Sequence, residues 1–155
     1  MKFSRKSETK DNIGMTDNET IELASRIARE AHASQKRRNG DPYITHVQRV
    51  AKHPNLSPLQ RAAAWLHDVV EDTSWTIPQL REQGIPEYVL GIVDTLTKRE
   101  DDNYFEFIMR IRNSIDATDV KIADIEDNLS DGLNEGSMKD KYRLALWILK
   151  DRFGY

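Results

Sequence analysis

Ala62-Ala63-Ala64-Trp65-Leu66-His67-Asp68-Val69-Val70-Glu71-Asp72 has the composition of a buried helix, yet it carries three carboxylates and an imidazole. An unpaired carboxylate taken out of water costs several kcal/mol, so burying this segment requires a strong cation beside it. The segment is therefore read as half of a divalent-metal site, and the remainder of the chain must supply the other half.

Upstream of it, Ser57-Pro58 is a helix start, with Ser at the N-cap and Pro in the first turn. The spacing predicts one helix from Pro58 to about Asp72, with three alanines that permit close approach of another helix. On such a helix His67 and Glu71 stand four apart, as do Asp68 and Asp72. His67 and Asp68 differ by about 100° and can both lean toward a point between helices. Two ligands make a weak site. His46 and Asp124 are the best further candidates, because each is a lone polar group in an otherwise apolar helical stretch.

Outward from there, helical signals recur along the chain. Thr16-Asp17-Asn18-Glu19 has the form of a capping box and opens a helix to about Ser34. Gln35 to Tyr43 is a basic loop punctuated by Asn39-Gly40 and Asp41-Pro42. Ile44 to Ala51 resumes helical spacing, and a short helix begins near Ile77. Pro86 opens another to Thr97-Lys98, and Tyr104 to Ile111 is amphipathic. Residues 116–129 have an apolar and an acidic flank, and a last helix runs from about Met138 to Arg152. The expected fold is an all-α bundle of about six to eight helices in one domain, residues 16–155, after a mobile polar tail of residues 1–15.

With 155 residues, 32% charged and 38% hydrophobic, the chain suits a globular helical protein. It has no cysteine, which excludes disulfides, thiolate metal sites and cysteine nucleophiles. The N-terminus lacks a signal-peptide core, and no apolar run approaches membrane-span length, so a cytoplasmic protein without membrane association is expected. A net charge of −3 offers no global attraction to nucleic acid.

Two imidazoles and two carboxylates, without sulfur, suit Mn²⁺ or Fe²⁺ with open water positions, and Zn²⁺ less exclusively. Such a metal acidifies water and polarises a phosphoryl oxygen. Glu71 and Asp72, one turn beyond, are then placed for general acid-base work.

The order His, then His-Asp, then a distant Asp resembles the HD-domain metal-dependent phosphohydrolases. The likeness is strongest to the hydrolase domain of RelA/SpoT-type enzymes and to the small alarmone hydrolases, the metazoan SpoT homologues among them. It is carried by Ala31-His32 through Gln35-Lys36-Arg37-Arg38 and Pro42-Tyr43-Ile44-Thr45-His46, by Leu66-His67-Asp68 through Glu71-Asp72-Thr73, by Thr97-Lys98, and by Val120-Lys121-Ile122-Ala123-Asp124 through Asn128. It implies hydrolysis of the 3′-pyrophosphate of (p)ppGpp, with Mn²⁺ held by His46, His67, Asp68 and Asp124. By the same likeness Glu71 and Asp72 are the catalytic pair, Arg37 meets the guanine base and Asn128 contacts the nucleotide. Arg38 completes a basic loop suited to a polyphosphate. Lys98 and Lys121 are further phosphate candidates, and Tyr104, which follows the Thr97-Lys98 loop, is a candidate pocket-lining residue.

Two departures matter. Where the bifunctional enzymes carry Arg and His between the late Asp and the Asn, this chain has Ile125, Glu126 and Asp127, and Asp41 replaces a Glu before Pro42. The Glu126-Asp127 pair is expected to make the pocket rim more negative. No synthetase domain follows, so a stand-alone hydrolase of a small nucleotide is expected. Alternatives are an HD phosphohydrolase for a nucleoside monophosphate or the 2′-phosphate of NADPH, and a metal-bound but silent regulatory module. The intact Glu71-Asp72 pair argues against the silent module. His32 is read as structural or solvent-facing, and Trp65, Trp75 and Trp147 as packing residues.

Overall fold

The computed structural model describes residues 14–130, 132 and 134–151. Among them the regular structure is helical apart from one isolated bridge, Lys36 to Pro42. The elements are α1 (Asp17–Ala31), α2 (Tyr43–Ala51), α3 (Pro58–Leu66), α4 (Val69–Asp72), α5 (Ile77–Glu82), α6 (Glu87–Leu96), α7 (Tyr104–Arg112), α8 (Ile115–Ser130) and α9 (Gly136–Asp151). The expected all-α bundle is present, with one more short turn than the predicted six to eight helices. Residues 1–13 of the predicted tail and Arg152 lie outside the described residues.

Local chemistry starts the helices. Thr16 accepts the Glu19 N–H (3.2 Å) while the Glu19 carboxylate accepts the Thr16 N–H (2.9 Å), the reciprocal cap that satisfies two otherwise orphan donors. Ser57 and Gln60 do the same for α3, and two further caps of this kind, Thr76 with Gln79 and Asn103 with Glu106, begin α5 and α7.

Helix α3 is the hub, packed against α1, α2, α6 and α8. Ala62, Ala63 and Ala64 are all fully buried, so small side chains meet neighbours on every side and backbones can draw close. Helices α8 and α9 pack together, and α7 lies against both. Of the three tryptophans, Trp65 is in the core, whereas Trp147 on α9 is 66% exposed and is not a packing residue. His32 is buried, not solvent-facing, and its Nδ1 is 2.8 Å from Gln35 Oε1.

The predicted helix 58–72 is interrupted. The Ala64 carbonyl receives both the His67 N–H (3.3 Å) and His67 Nδ1 (2.6 Å), in the place where an α-helix would receive the Asp68 N–H. Asp68 then takes the bridge conformation, φ −110° and ψ 0°, before α4 restarts. The break turns His67 and Asp68 inward at a helix junction instead of spacing them along a regular face.

Candidate metal centre

Three parts of the fold converge on one point. Helix α2 supplies His46, the α3–α4 junction supplies His67 and Asp68, and α8 supplies Asp124. One ligand atom from each of the four lies within 4.8 Å of all the others.

The hydrogen bonds around the two imidazoles fix their roles. His46 Nδ1 lies 2.7 Å from Asp127 Oδ2 and Nε2 lies 2.9 Å from Asp124 Oδ1; with a proton kept on Nδ1 for Asp127, Nε2 is the nitrogen open to a metal. His67 Nδ1 donates to the Ala64 carbonyl and aims Nε2 at Asp68 Oδ2 (2.9 Å) and Asp124 Oδ1 (3.3 Å). That Nε2 is buried and makes no well-directed hydrogen bond. Imidazole nitrogens and carboxylate oxygens at such distances repel unless a proton or a metal cation stands between them. The donor set therefore fits a divalent cation bound by nitrogen and oxygen.

The electrostatics agree. Burial disfavours a charged imidazole at His67, but the Asp68 and Asp124 carboxylates outweigh it and raise its pKa well above the usual histidine value. Burial likewise opposes the rise at His46, where hydrogen bonds to Asp124 and Asp127 prevail. Burial alone would raise Asp68, yet His67 brings it down to about 2. The cluster favours positive charge, and protons and a metal compete for the same nitrogens.

Several residues buttress the cluster. The Tyr43 hydroxyl donates to Asp68 Oδ2, and the Tyr43 ring stacks edge-on to His46 at 5.5 Å. Burial first, and then the Asp68 charge, push this phenol up, so it acts as a donor only. Sequence reading did not single out Tyr43, although it stands three residues before His46 and so shares its helix face. Lys121 is not turned to a phosphate site: its Nζ lies 2.9 Å from Asp124 Oδ2 and over the Phe107 ring. Burial opposes the charge on Lys121, and Asp124 restores it.

The basic loop sits beside the cluster. Arg37 donates to Asn128 Oδ1 (3.2 Å), and Asn128 Nδ2 reaches Asp124 Oδ1 (3.4 Å). Arg38 donates to Asn134 Oδ1 (3.3 Å). Arg37, Arg38, Asn128 and Asn134, with Gln35, Lys36, Tyr43 and Tyr142, line a cleft of about 230 Å³. Tyr104 does not line it; its hydroxyl is buried without a hydrogen-bond partner, and Lys141 lies 4.1 Å from its ring centre. A larger cleft of about 620 Å³ opens on the other flank of α8, among His53, Leu56, Ile122, Glu126 and Lys150, and holds no member of the cluster.

Glu71 is held by the main chain, accepting the Lys98 N–H at 2.8 Å. This brings the Thr97-Lys98 segment to the site through Lys98's backbone. Burial of its carboxyl, followed by the Asp68 and Glu71 charges, pushes Asp72 up to about 6, although the residue as a whole is exposed. An acid with a raised folded-state value is most stabilising while still protonated, and that stability is lost as pH rises from about 4 to about 6. Asp72→Asn is therefore expected to stabilise the metal-free protein by about 1 kcal/mol at pH 8, allowing for solvent screening, and not at pH 4. Thermal melts at the two pH values check this.

The expected acidic rim does not form. Asp127 faces inward to His46 and is met by the Arg49 guanidinium, Nε 2.7 Å from Oδ1. Glu126 points to the other flank, with His53 and Lys150 each at 3.3 Å.

Residues 24–125 match the HD-domain family, and the chain belongs to that family. A guanosine-3′,5′-bis(diphosphate) 3′-pyrophosphohydrolase of Haemophilus influenzae is 37% identical over 116 residues, covering 66% of this chain and 17% of that protein. A probable GTP pyrophosphokinase of Mycobacterium leprae is 41% identical over 81 residues, 50% of this chain and 10% of its own length. The chain thus spans a small part of these relatives. A solved structure of a metazoan SpoT ortholog that hydrolyses ppGpp superposes with a TM-score of 0.69 at 22% identity, covering 94% of this chain and 88% of that one, and shares the fold. No helix among the described residues is long and apolar enough to cross a membrane.

Proposed function

We propose that this chain is a metal-dependent phosphohydrolase that removes the 3′-pyrophosphate of (p)ppGpp, leaving GDP or GTP. The observation that carries the reading is Asn128, whose amide joins the Arg37 side of the cleft to Asp124 of the cluster. A guanidinium suited to a base or polyphosphate and a cation site suited to phosphoryl chemistry are thereby neighbours. The named activity of the Haemophilus relative supports the same substrate.

His46, His67, Asp68 and Asp124 would hold the metal, for which Mn²⁺ is the proposed ion. When bound, it supplies Lewis acidity toward water and toward a phosphoryl oxygen. Arg37 and Arg38 orient the nucleotide from the loop. Glu71, fixed by the Lys98 N–H, and Asp72 accept the proton released as water attacks the phosphorus on the ribose 3′ oxygen. That oxygen leaves the phosphorus and is protonated, and pyrophosphate departs.

The test is a Mn²⁺-supplemented assay with ppGpp, NADPH and a panel of nucleoside monophosphates. Pyrophosphate release from ppGpp is expected. Phosphate release from another substrate with ppGpp untouched would overturn the assignment, and metal binding without turnover of any would mark a silent regulatory module.

A further inference from the structure

Asp127 stands three residues after Asp124 on α8, with a side chain only 11% exposed. Both of its oxygens are committed. Oδ2 accepts the His46 Nδ1–H at 2.7 Å and an Arg49 NH2 at 3.1 Å, while Oδ1 accepts Arg49 Nε at 2.7 Å. His46 itself is 1% exposed, so water does not set the orientation of its ring.

A carboxylate on the remote nitrogen of a metal-binding histidine has two effects: it locks the tautomer and ring plane, and it makes the ligand nitrogen more basic. From this geometry, and resting on the metal-centre reading above, we infer that Asp127, clamped by Arg49, is a positioning residue that presents His46 Nε2 to the cation. Asp127 belongs to the stretch between Asp124 and Asn128 where the resemblance leads one to expect Arg and His. This chain thus has an Arg49–Asp127–His46 relay running from α2 to α8 and back. Arg49 is half exposed, so its part is the smaller one.

The test titrates Mn²⁺ into chelator-stripped wild type, Asp127→Asn, Asp127→Ala and Arg49→Gln, followed by calorimetry. Long-range proton–nitrogen NMR reads the His46 tautomer in the chelator-stripped proteins before Mn²⁺ is added, since the bound paramagnetic ion would broaden those signals. The Mn²⁺ dissociation constant is expected to rise about 10- to 100-fold in Asp127→Ala, with loss of the single Nδ1–H tautomer. Asp127→Asn, which keeps an acceptor oxygen and the side-chain volume, should fall between Ala and wild type. It also serves if the alanine variant does not fold. Binding within about twofold of wild type in Asp127→Asn and Asp127→Ala, with the tautomer unchanged, overturns the inference and leaves the metal centre standing. Failure of the wild type to bind Mn²⁺ overturns the metal-centre reading and this inference with it.

Discussion

Asp124→Asn is expected to empty the metal centre and lower pyrophosphate release from ppGpp by roughly 10³-fold, since Lewis-acid stabilisation supplies several kcal/mol of the barrier reduction. The position is unusually connected. Its Oδ1 faces both imidazoles and the Asn128 amide, and its Oδ2 holds Lys121. Removing the charge therefore takes away a ligand and also leaves the buried Lys121 ammonium uncompensated. Breaking a buried pair by deleting one partner costs about 3–5 kcal/mol, so a lower melting temperature should accompany the loss of metal. Elemental analysis of the dialysed protein and a melt separate the two effects. Adding Lys121→Met to Asp124→Asn should recover much of the stability without restoring metal or turnover. Full metal content and full turnover in Asp124→Asn would remove Asp124 from the ligand set.

Glu71→Gln is expected to cut turnover by about 10²- to 10⁴-fold while metal content stays at the wild-type level. Gln keeps an acceptor for the Lys98 N–H, so the anchor survives and only the charge goes. Asp72→Asn should show the same separation, with one further mark. Burial and the Asp68 and Glu71 charges push Asp72 up to about 6 in the metal-free protein, and a cation on Asp68 offsets part of that rise. A rate that depends on its ionised form therefore has an acid limb at or below that value, which should vanish in the variant. Stopped assays from pH 5 to 8, with metal content checked at each point, read both. Unchanged rates in both variants would mean that the proton leaves the site by another route.

Most of the helical architecture was legible because its signals are local. The Thr16 and Ser57 caps each lie within four residues, and apolar spacing marks the faces that α3 and α8 bury. The four candidate ligands were legible for a related reason, since a lone carboxylate or imidazole on an apolar face demands a partner. The break at His67 was not legible, because it depends on a side chain outcompeting a backbone amide for one carbonyl. Nor were the directions of Asp127 and Lys121. Each sits on a flank of α8 where a helix period allows either solvent or site, and only the packing of α2 and α7 decides.

The loop from Gln35 to Tyr43 has a consequence for how such a protein could change its diet. Its shape is held by the main chain: the Arg37 N–H donates to the Asp41 carbonyl (2.8 Å), Gly40 to Arg37 (2.9 Å) and Tyr43 to Gln35 (2.8 Å), with Gly40 at φ +92° completing the turn. The exposed side chains at positions 36 and 38 can thus be exchanged without unmaking the loop, whereas Arg37, its side chain 7% exposed, is tied to Asn128 and Asp127. The four candidate metal ligands stand outside that loop, so under the proposed function a change of substrate would take point mutations in the loop and not a new fold.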